Sequence, residues 1–174
     1  ASRIMSPMQR IEPPDAHHLR AAIGWLELGC RADALAELDL ISDALQLHPD
    51  VLEARWIILA EAKNWSAALE IASRLVERAP ERASGWLHRA YALRRAPGGG
   101  LEKAWDILRS AADKFSGEPV ICYNLSCYAC QLNRLDEARD WLKRALRVGG
   151  KNDIKRMALG DEDLKPLWKE IESL

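Results

Sequence analysis

Four cysteines, at positions 30, 122, 127 and 130, are the residues of this chain best suited to chemistry. Cys127 and Cys130 form a Cys-x-x-Cys pair, a spacing used both by redox dithiols and by zinc ligands. On a helix these two lie about 60° apart, and Cys122 and Cys127 about 140° apart. A zinc site needs four convergent ligands, and no second Cys-x-x-Cys or nearby His completes the set. Cysteines clustered over residues 122–130 suit small packing positions on a helix better than a disulfide framework. Reduced thiols and a cytoplasmic location follow as the expectation. The histidines at 17, 18, 48 and 88 fall in no HExxH pair, Ser/His/Asp set or Cys/His dyad that local spacing supports. Gly98-Gly99-Gly100 is not followed by Gly-Lys-Ser/Thr, so it reads as a flexible turn rather than a phosphate loop. The residues therefore predict no enzyme, no cofactor and no metal site.

Composition sets the frame for these residues. The chain has 174 residues, enough for one domain with a real core. Hydrophobic residues make up 48% and charged residues 29%, a globular balance. With 25 Lys+Arg against 26 Asp+Glu, the net charge of −1 provides no global field for nucleic acid or an anionic membrane. No apolar run approaches the ~20 residues that cross a bilayer, and the first residues carry no signal-peptide core. The aromatic content is skewed: seven Trp and three Tyr, but one Phe.

The elements that must position these residues come from an internal repeat. Four segments share a helix start: Arg31-Ala-Asp-Ala34, Trp65-Ser-Ala-Ala68, Leu101-Glu-Lys-Ala104 and Leu135-Asp-Glu-Ala138. Their alanines, at 34, 68, 104 and 138, recur every 34, 36 and 34 residues. Leu38, Ala72, Leu108 and Leu142 follow four positions later, and Ile41, Leu75, Ala111 and Ala145 seven positions later. That spacing puts each trio on one helical face. Upstream of each alanine runs another apolar helix pattern, including Ala22 and Trp25, Leu52 and Trp56, Trp86 and Ala90, and Leu125 and Ala129. Short breaks such as Gly29-Cys30, Lys63-Asn64, Pro97–Gly100 and Asn133-Arg134 separate the two helices of each pair. Asp15 and Asp50, next to prolines, read as N-caps. The pattern predicts helices over 15–28, 32–48, 50–62, 66–79, 83–96, 101–115, 119–132 and 135–148, then a helical tail.

A helix–turn–helix repeat of this length resembles the tetratricopeptide repeat (TPR) family. The last unit carries the resemblance best, through Tyr123-Asn-Leu125-Ser126, Leu135-Asp-Glu-Ala138, Leu142 and Ala145. The resemblance implies an all-α, right-handed α-α superhelix of about four units with a C-terminal capping helix. Units fall at about 15–48, 49–82, 83–118 and 119–150, with an arm at 1–14 and a cap at 151–174. Three departures stand out. Pro49 comes three residues late, which predicts a longer second helix in the first unit. Trp56 sits where a small residue is expected, and Pro97–Gly100 adds two residues to the third unit. The ending Asp161-Glu-Asp-Leu-Lys-Pro-Leu-Trp168 is similar to the close of many bacterial TPR arrays and reads as the cap.

The family implies that the first helix of each unit lines a concave groove. Mapped by position, the first unit provides Leu19, Ile23, Leu26 and Glu27, and the second Asp50, Glu53, Ile57, Ala60 and Glu61. The third provides Leu87, Tyr91, Arg94 and Arg95, and the fourth Tyr123, Cys127, Cys130 and Gln131. Asn124 stands alone at a position that clamps carboxylates in some relatives; Ala54 and His88 occupy its equivalents. The implied function is a non-catalytic scaffold that binds a protein or peptide of unknown identity in this groove. The alternatives are a self-assembling structural subunit, hence a homo-oligomer, and a small TPR-type chaperone. Neither nucleic acid nor membrane is an expected partner. Ile4, Met8 and Ile11, at i, i+4, i+7, predict an arm that caps the first helix or enters a groove; a frayed tail is the alternative.

Overall fold

A computed structural model describes residues 10–173; Ile4 and Met8 of the arm lie outside that range. The described residues form ten α-helices and two 3-10 helices, with no strand among them. In chain order they are α1 (Asp15–Glu27), α2 (Arg31–Asp39), α3 (Pro49–Glu61), α4 (Trp65–Arg78), α5 (Ala83–Arg95), α6 (Leu101–Ala111), α7 (Pro119–Gln131), α8 (Leu135–Gly149), α9 (Lys151–Leu159) and α10 (Trp168–Glu172). The first eight pair as antiparallel hairpins, α1 with α2 through α7 with α8.

The small residues that mark the repeat sit at the helix crossings. Ala34, Ala68, Ala104 and Ala138 are all fully buried, as are Ala22, Ala90 and Ser126 on the partner helices. A side chain no larger than a methyl or hydroxymethyl lets two helices approach closely. The buried Ser126 hydroxyl donates to the Ala138 carbonyl at 2.8 Å, so its polarity is satisfied inside the crossing. Each hairpin closes in the same way. The amides of Cys30, Asn64 and Arg134 donate to the carbonyls of Trp25, Leu59 and Ala129, at 2.8–2.9 Å. Gly29, Lys63 and Asn133 adopt positive φ just before, as a Schellman-type helix end requires. In the third unit Gly100 makes the equivalent bond to Leu93, two residues later. The glycine turn is therefore built rather than slack. A Cβ on Gly99 would collide with the Leu93 carbonyl, and the Gly99 amide donates to Ala96 at 2.9 Å.

Three sequence expectations give way. The helix expected over 32–48 ends at Asp39, and a 3-10 turn, Asp43–Leu45, follows before α3. Side chains from elsewhere terminate it. Asp15 accepts from the Ser42 amide (2.7 Å) and hydroxyl (3.0 Å), while Gln46 donates to the Leu38 and Ile41 carbonyls. Arg55 on α3 adds contacts to Leu38, Asp39 and Gln46. Asp15 thus stitches two helices together and is the first residue of α1 rather than its cap. The cap of α3 is His48, whose Nδ1 accepts from the Asp50 amide, not Asp50 itself.

Trp56 fits its small-residue position because its neighbours shrink. It packs in a cluster with Ala68, Ala72 and Ala92, and its ring stacks on His88 at 3.7 Å and 12°. Trp105 and Trp141 meet edge to face across adjacent units at 6.4 Å, so these two rings fill the gap between stacked helices there, whereas Trp25 is 37% exposed.

The C-terminal tail completes the array. Ile154, Ala158, Leu164, Leu167 and Ile171 join the core built by α6–α8, and Trp168 Nε1 donates to the Ala158 carbonyl. Between α9 and α10 a 3-10 segment, Glu162–Leu167, turns back onto α7.

Candidate functional site

The concave face consists of equivalent positions on α1, α3, α5 and α7. Hydrogen bonds and rings tie α3 to α5. Ser84 donates to Glu53 at 2.6 Å, and Arg82 reaches both Asp50 (2.6 Å) and Glu53 (3.5 Å). The Asp50 and Glu53 carboxylates that the sequence placed on the second unit's groove face are thus answered from within; Glu61 remains exposed, 3.9 Å from Arg31.

The ninth residue of each first helix forms a row. Ile23, Ile57 and Tyr91 are 45%, 38% and 39% exposed, unusual for large apolar side chains at matching positions. Tyr91 belongs to a ring cluster. It meets Trp56 edge-on at 6.1 Å and Trp65 at 5.8 Å. The Arg95 guanidinium lies 3.6 Å over Tyr91 and 5.4 Å from Trp65, and donates to the Tyr91 carbonyl at 3.0 Å. Arg95 is therefore held by ring faces, which attract a cation without neutralising it. Behind the cluster, burial holds the His88 imidazole neutral; against the pull of Glu53 it lowers the pKa from 6.5 to about 4.

The fourth unit breaks the row. Cys127, the next ninth residue, is only 4% exposed. The returning segment covers it. Tyr123 donates to Asp161 at 2.9 Å, the Cys127 thiol reaches the same carboxylate at 3.5 Å, and Arg94 grips Asp163 at 2.7 Å. The Asp163 amide folds back on the Asp161 carboxylate at 3.0 Å, which fixes the segment's own turn. The sequence placed Arg94, Tyr123 and Cys127 on an open groove; in the structure they bind the chain's own tail. Of the two arginines that the sequence mapped to the third unit's groove face, Arg94 is thus taken up by the tail and Arg95 is not. Asn124 donates to Val120 one turn earlier on α7, a bond within its own helix.

Three of the cysteines, all on α7, sit where no thiol is activated. Burial pushes Cys122, Cys127 and Cys130 above the ordinary thiol range, and for Cys127 the neighbouring Asp161 and Asp163 carboxylates push further. A thiolate is the reactive form, so these environments oppose reaction. All four cysteines are unpaired, and no group of three or more His, Cys, Asp or Glu is arranged to hold a metal among the described residues. No helix among the described residues is long and apolar enough to cross a membrane.

The sequence did not foresee the Trp56–His88 stack, the Trp65–Tyr91–Arg95 cluster or the return of Asp161 and Asp163. The one available signal was the bulky Trp56 at a small-residue position.

Solved structures share this architecture. A thermophilic TPR protein of Thermus thermophilus, TTC0263, superposes with a TM-score of 0.68 at 22% identity, over 90% of this chain and 82% of that one. MamA from Desulfovibrio magneticus RS-1 gives 0.63 at 19% identity, over 80% and 77%. MamA of strain AMB-1 gives 0.60 at 19%, over 92% and 98%. The fold is that of a tetratricopeptide-repeat solenoid. No family model matches the sequence, and no curated protein matches it either. The TPR likeness is therefore carried by the packing of helix pairs, while identity at this level fixes no ligand.

Proposed function

We propose that this TPR array is a non-catalytic cytoplasmic scaffold that holds a peptide or protein segment against the concave face of its first three units. The observation that supports it best is the exposed row Ile23, Ile57 and Tyr91, one residue per unit at the same helical position. Water-exposed apolar groups at regular spacing suit the apolar side of a partner segment. Glu61 and Arg95 flank that row with opposite charges, which gives the bound segment a direction. Ile57, Glu61, Tyr91 and Arg95 are the contacts assigned to the partner, with Glu53 behind them orienting Arg82 and Ser84. Arg94, Tyr123 and Cys127 serve the tail instead. The net charge of −1 offers neither nucleic acid nor an anionic membrane a favourable field.

The test compares proteins captured from the source cell by the wild-type chain and by Ile57→Glu/Tyr91→Ala. Both residues are exposed, so the variant keeps its helical circular dichroism. A partner held by wild type and lost by the variant bears out the reading; an unchanged set of captured proteins overturns it.

A further inference from the structure

Two neighbouring arginines on α5 share one kind of backing and differ in one partner. Arg94 lies over the Tyr128 ring at 5.4 Å and holds the Asp163 carboxylate at 2.7 Å. Arg95 lies over the Tyr91 ring at 3.6 Å, with the Trp65 ring at 5.4 Å. Both guanidinium groups rest on aromatic rings, but only Arg94 has an acid. Among the described residues Arg95 bonds the Tyr91 carbonyl alone, through Nη1 at 3.0 Å. The other N–H donors of its fork have no acceptor.

Residues 1–174 do not supply the missing acid. Residues 1–9 and residue 174, outside the described range, include no Asp or Glu. All 26 acidic residues are therefore described, and none of them pairs with Arg95. The carboxylates nearest to hand along this face are already committed: Asp50 and Glu53 to Arg82, and Asp163 to Arg94.

The tail shows what completes such an arginine. Asp163 brings the carboxylate, and the next residue, Leu164, is fully buried in the core of the fourth unit. The open face offers the same two parts side by side. Arg95 supplies the cation, and Ile57 and Tyr91, 38% and 39% exposed, supply apolar surface still in water. A guanidinium already set against rings has lost part of its freedom before a partner arrives, so pairing costs less ordering entropy. The rings leave its charge intact for a carboxylate, which can accept from two N–H groups at once.

We propose that the segment held on the open face carries an Asp or Glu side chain that pairs with Arg95, next to an aliphatic residue seated on Ile57 and Tyr91. It would bring to Arg95 the acid–aliphatic couple that Asp163 and Leu164 bring to the fourth unit. This rests on the groove reading above and specifies the chemistry of its ligand.

Selection on the whole chain from random peptides displayed at the N-terminus of a coat protein tests it. Wild type is expected to enrich peptides with Asp or Glu beside Leu, Ile or Val. One such peptide, synthesised with an amidated end, is then titrated by fluorescence anisotropy. Changing its acid to the amide is expected to weaken binding roughly tenfold or more, and so is Arg95→Glu in the protein. Arg78→Glu makes the same change in net charge at an exposed position at the end of α4 and is expected to leave binding intact. Enriched peptides without an acid, binding indifferent to the acid-to-amide change, or an equal loss in Arg78→Glu and Arg95→Glu overturns this inference. If those peptides are nonetheless lost in Ile57→Glu/Tyr91→Ala, the groove reading survives it. No enrichment, or binding that persists in Ile57→Glu/Tyr91→Ala, overturns both.

Discussion

Units two and three and unit four are built from the same helix positions, yet one concave surface is open and the other is closed. Ile57 and Tyr91 are 38% and 39% exposed, while Cys127 is 4% exposed. The difference does not arise in the helices themselves. It comes from a short acidic segment that returns from beyond α9 and places Asp161 and Asp163 against Tyr123, Cys127 and Arg94. A TPR face is thus a set of positions whose availability the rest of the chain decides. The closed half also shows what this face can hold: carboxylates set against Arg and Tyr donors, with Leu164 buried beside them.

The largest effect should come from removing the anchor of the closed half. Leu164 is fully buried, so Leu164→Ala should cost about 2–5 kcal/mol in urea unfolding. It should also make Cys127 react with a thiol reagent that leaves it untouched in the wild type. Unchanged stability together with unchanged labelling would show that the closure is not maintained in solution.

A smaller loss is expected from Asp163→Asn, which keeps the shape but discharges the partner of a part-buried Arg94. Hydrogen bonds to charged groups contribute about 1.5–3 kcal/mol. The same change in an Arg94→Ala background should cost clearly less, and additivity would mean that the pair is not coupled.

On the open side, His88 predicts a pH effect. As pH falls, the unfolded chain takes up a proton near 6.5, but the buried imidazole resists until about 4. The native state therefore binds fewer protons across that window, and stability declines as the pH drops from about 6.5 to about 4. His88→Gln should remove this part of the decline, so the stability gap between wild type and variant should differ between pH 7 and pH 4.5. A constant gap would mean that His88 protonates freely in the fold.

The smallest effect is expected from Arg95→Ala. Its ring contacts are near the surface, where cation–π pairs contribute about 0.5–1 kcal/mol. A loss above about 2 kcal/mol would place Arg95 in the closed, tail-bearing half of the comparison rather than on the open face.

Legibility followed range along the chain. Ala34, Ala68, Ala104 and Ala138 were readable because helix crossings demand small residues at a fixed period, and all four are fully buried. The two extra residues before Gly100 were equally plain, and they lengthen a turn without altering its closing bond. The first unit's second helix was misjudged because Asp15 and Arg55 end it, from 27 and 16–17 residues away. The site suffered most. The family's helix positions grouped Tyr123, Cys127 and Arg94 on one face, but their partners lie 38, 34 and 69 residues along the chain.

By itself, the sequence determined the hairpin period, which follows from side-chain size and spacing within about 35 residues, where helix geometry converts sequence distance into direction. The first-helix positions and the C-terminal cap came from the resemblance that this period carries. Only the tertiary structure decided which concave positions remain open and why Arg95 rather than Arg94 offers a cation. Those outcomes depend on where a returning segment lands, and local periodicity carries no information about that.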